Sequence, residues 1–104
     1  MSPPDVLPRN AIVIDQEPGR EVTAAAWNHF SVQHQIISVL GISENYTADY
    51  AVGIIFESGR AQFCPGPGEE DAAAALAVAF AARFGGTMTI PAAMADAVRR
   101  ASWR

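Results

Sequence analysis

Cysteine is almost missing from this chain, and lysine is missing altogether. Cys64 is the single cysteine in 104 residues. No disulfide can close within the chain, and no cysteine-built zinc site can be assembled. A reducing compartment, and so a cytoplasmic location, is the expectation. All seven basic residues are arginine, set against eleven acidic ones, for a formal net charge of −4. That balance disfavours a nucleic-acid backbone as a partner. Charged residues make up only 17% of the chain, which is low for a small protein whose whole surface faces water. No apolar run reaches the ~20 residues that a membrane-spanning helix requires. The opening MSPPDVLPRN has no basic segment followed by an apolar one, so it does not read as a signal peptide. No cofactor motif is present, and no cofactor is expected.

What is abundant is apolar surface. Hydrophobic residues make up 50% of the chain, and Ala72 to Ala82 reads AAAALAVAFAA without one polar side chain. Glu69, Glu70 and Asp71 precede this run, where carboxylates oppose the positive end of a helix dipole. Arg83 and the pair Gly85-Gly86 follow it, where a cation and a glycine stop belong. A helix over 69–84 is therefore predicted, and it is apolar on every side. A surface helix normally keeps one polar face, so this one needs cover from more than one direction. Leu76, Phe80 and Phe84 are assigned to the protomer core. Ala74, Ala75, Val78, Ala81 and Ala82 are left for a second surface, with a homodimer as the first candidate for covering it.

The other elements follow from local patterns. Residues 1–10 hold three prolines and form an extended arm. Ala11–Asp15 is a β-branched strand. Ala26, Phe30, Gln33, Ile37 and Leu40 recur at helical spacing, so Glu21–Leu40 is read as a helix with Gly41 as its cap. Its second half, SVQHQIISVL, is β-branched enough to suit a strand. Ile42–Asp49 reads as a polar loop. Tyr50–Glu57 is the clearest strand. Ser58-Gly59 turns it back into Arg60–Cys64, placing Glu57 opposite Arg60, Phe56 opposite Ala61 and Ile54 opposite Phe63. Thr87–Ile90 is a possible edge strand, and Pro91 opens a last helix that runs to about Trp103. There Met94, Ala97, Val98 and Ala101 form one narrow apolar stripe. The order β-α-β-β-α-(β)-α defines an α+β class: a small mixed sheet with helices packed on it, in a single domain spanning 11–104. The first strand and Tyr50–Glu57, joined through a helix, are expected to run parallel.

Few side chains can carry chemistry. Cys64 with His29 or His34 is the first nucleophile–base candidate. The three carboxylates at 69–71 disfavour the thiolate, and a buried strand residue is the preferred reading of Cys64. His29 and His34 are five residues apart, about 140° around a helix, rather than at the i, i+4 spacing of a metal pair. Pro65-Gly66-Pro67-Gly68 precedes a helix, but its prolines lack the N–H donors that cradle phosphate. Asn45-Tyr46-Thr47 matches a glycosylation acceptor and is taken as accidental. Arg99, Arg100 and Arg104 make the only basic patch, suited to a solvated helix end or to docking on an acidic protein site.

The expected function is therefore a small acidic, non-enzymatic interaction module, of bacterial or phage origin. It would dock through Ala74, Ala75, Val78, Ala81, Ala82, Arg99 and Arg100 onto a protein partner or a second copy of itself. Assembly subunits and inhibitor or immunity-type proteins, phage-encoded ones among them, share its size and acidity, a likeness of class only. A cysteine-dependent enzyme using Cys64 with His29 or His34 is the second expectation. A small-ligand-binding domain is the third.

Overall fold

The computed structural model describes residues 10–34, 36–38, 44–47, 52–57 and 59–103. Among these residues six strands form one sheet: β1 (Ile12–Asp15), β2 (Ile36–Ser38), β3 (Glu44–Thr47), β4 (Val52–Glu57), β5 (Arg60–Pro65) and β6 (Thr87–Thr89). Their spatial order is β2-β3-β4-β5-β1-β6. Three α-helices accompany them among the described residues: α1 (Ala24–Gln33), α2 (Glu70–Phe84) and α3 (Ala95–Ser102), the last entered through a 3-10 turn at Ala92–Met94. The class is α+β.

The β4–β5 hairpin has the register expected from its turn: Glu57 faces Arg60, Phe56 faces Ala61, Ile54 faces Phe63 and Gly53 faces Cys64. Gly59 takes φ +91° there, a value that glycine reaches without strain. Every described ladder is antiparallel, so the sheet is not mixed. β1 and β4 do run in the same direction, but β5 lies between them and pairs with both. The parallel relation is thus one of direction without pairing.

Two elements depart from the sequence reading. The helix read over Glu21–Leu40 ends at Gln33, with His34 as its C-cap donating its N–H to Phe30 O. Ile36–Ser38 instead pairs with Asn45–Thr47. The β-branched pair Ile36-Ile37 prefers a ladder to a helix. The loop read over Ile42–Asp49 contains β3, whose pairing with both β2 and β4 makes a strand of polar ENYT. Leu40, Gly41 and Tyr50, assigned above, lie outside the described residues, as do residues 1–9.

At the start of α1, Thr23 caps the helix by accepting the Ala26 N–H at 3.1 Å. β6 is an edge strand, as expected, and pairs with β1.

The core lies between the sheet and the helices. Ile12, Ile14, Val52, Ile54, Ala61 and Phe63 from the sheet are fully buried. They meet Trp27 and Phe30 of α1 and Leu76 and Phe80 of α2. Phe80 is the hub of an aromatic cluster, with ring centroids of Trp27, Phe30, Phe56, Phe63 and Phe84 all within 6.5 Å. Met94, Ala97 and Val98 of the C-terminal unit belong to the same hydrophobic core. Among the described residues, no helix is long and apolar enough to cross a membrane.

Candidate functional site: a groove between α2 and α3

Helix α2 packs its Ala73, Ala74, Leu76, Ala77 and Phe80 inward, all of them buried. Its opposite face meets α3. Both helices are built from small residues along this seam, so α3 covers only part of α2. What remains is an open groove of about 550 Å³. Ala72, Ala75, Val78, Ala79 and Ala82 form its α2 wall, and Ala97, Arg100 and Ala101 its α3 wall. The α2 positions recur at spacings of three and four, which puts them on one helix face.

One end of the groove is clasped by charge. Arg100 donates from Nε (3.1 Å) and Nη2 (2.6 Å) to Asp71 Oδ1. The Asp71 hydrogen bond and negative charge push the Arg100 guanidinium above its usual range. Both side chains are exposed, so the pair orients α3 on α2 more than it stabilises the fold. It joins the N-terminus of α2, where carboxylates are favourable, to the end of α3, where cations are. Glu69 and Gly68 complete this end.

The seven residues assigned to partner binding separate in the structure. Ala75, Val78, Ala82 and Arg100 come together on the groove. Ala74 is completely buried and has no surface to offer a partner. The cause is the width of the sheet-facing side, which takes in Ala73, Ala74 and Ala77 where the sequence reading allowed it only the larger side chains. Ala81 is half-buried, packed against the core cluster, and is not part of the groove lining. Arg99 is exposed on α3 and pairs with Asp96 at 2.8 Å. The cover expected from a second chain comes in part from α3. Ala75 and Ala82 nevertheless stay exposed. The α3 wall and the Asp71–Arg100 clasp escaped the sequence reading. The one signal for them was the apolar stripe Ala97–Ala101, which shows a face but not what that face meets.

The thiol is placed differently. Cys64 lies on β5, opposite Gly53 and half-buried. Burial pushes its thiol up from the ordinary range. The carboxylates at 69–71 are not the cause. His29 is exposed, and His34 is half-buried with its ring 4.3 Å from that of Phe30. Burial lowers the His34 pKa. Among the described residues, no group of three or more His, Cys, Asp or Glu side chains is placed to hold a metal ion.

No protein-family model matches the chain, and neither does any curated protein or solved structure.

Proposed function

We propose that the protein is a non-enzymatic docking module whose contact surface is the α2–α3 groove. The observation that carries this reading is the exposure of Ala75 and Ala82 on a groove walled by small apolar side chains, with charged groups only at one end. Alanines let another backbone or a flat side chain approach closely, and covering them is favourable at roughly 25 cal/mol per Å². The low charge of the chain points the same way. Docking of this kind serves assembly subunits as well as small acidic inhibitor or immunity proteins, and a bacterial or phage cytoplasm suits both.

A small ligand is the second reading, because the groove volume lies within the ordinary pocket range of about 300–1,000 Å³. A ligand site also needs polar groups free to orient its occupant. Of the three charged groups on this rim, Asp71 and Arg100 are engaged with each other, leaving Glu69 alone to orient an occupant, which favours the protein surface.

Photo-crosslinking in the native host tests the docking reading. A benzophenone amino acid at Ala75 is expected to give one discrete protein adduct, with a second copy or another chain. The same group at the exposed Glu17 is expected to give none. No adduct from Ala75, or equal labelling from both positions, overturns the proposal.

A further inference from the structure

We draw no further inference here: the strongest candidate, the alanine-lined groove between α2 and α3 with Glu69 at one end, belongs to the docking surface already described, and nothing in the structure shows what covers it.

Discussion

Single residues show how burial, more than charge, sets the chemistry available here. Cys64 is half-buried on β5, with its thiol pushed up by desolvation, which lowers the thiolate fraction at neutral pH. Iodoacetamide is therefore expected to label the folded protein more slowly than a free thiol at pH 7, and to label it fully after denaturation. Faster labelling of the folded form would move the cysteine–histidine enzyme from second expectation to first. His34 is held below its ordinary value of 6.5 by burial. The unfolded chain therefore binds its proton more readily than the folded one. Stability from this group is present above about pH 6.5 and is lost as pH falls from there towards the lower folded value. Urea midpoints at pH 7.5 and 5.5, a window in which ordinary carboxylates stay ionised, are expected to fall in the wild type and to fall less in His34→Gln. Equal slopes would show that the ring is free to protonate in the fold.

Among the elements, the hairpin and the first helix differ in how much of their geometry is local. The β4–β5 register was legible because a two-residue turn fixes it and the alternation of Ile54, Phe56, Ala61 and Phe63 confirms the face. The two phenylalanines nonetheless part company in the structure. Phe63 is fully buried, whereas Phe56 is half-buried with its ring stacked 4.6 Å from Trp27. Phe63→Ala is expected to cost about 3–5 kcal/mol and Phe56→Ala distinctly less. Chemical denaturation of both variants checks this ordering, and equal costs would mean that Phe56 is as enclosed as Phe63.

The end of α1 was not legible, because helix and strand propensities compete over SVQHQIISVL and only the remote pairing with β3 decides. β3 itself carries no apolar alternation, so it is a strand by virtue of its neighbours. The groove was half legible. The exposed alanines of α2 could be read from its lack of a polar face, but the partner helix lies across a gap of 29 residues at the Asp71–Arg100 contact. No local pattern encodes such a contact.

At the scale of the whole molecule, the question is whether the C-terminal unit that walls the groove belongs to the fold or merely rests on it. β6 adds to β1 at the sheet edge, and Gly86 lets the chain pass close by. A Cβ at Gly86 would lie 2.8 Å from Asp15 O, and the residue has φ +110°. Beyond β6, Met94 is fully buried, and Met94, Ala97 and Val98 share one core cluster with Ile12, Phe63 and Phe80. The Asp71–Arg100 clasp, being exposed, adds little by comparison. A shared core makes the unit part of one cooperative structure. Thermal unfolding of the Trp103→Phe variant, in which the tryptophan fluorescence is that of buried Trp27 alone, is expected to give one coincident transition by fluorescence and by far-ultraviolet circular dichroism. Met94→Ala is expected to remove about 2–5 kcal/mol and to move both signals down together. If the Trp27 signal kept its midpoint while part of the helical signal melted early, α3 would be a separate cooperative unit. The groove would then be a surface that opens before the protein unfolds, and docking would have to include the cost of closing it.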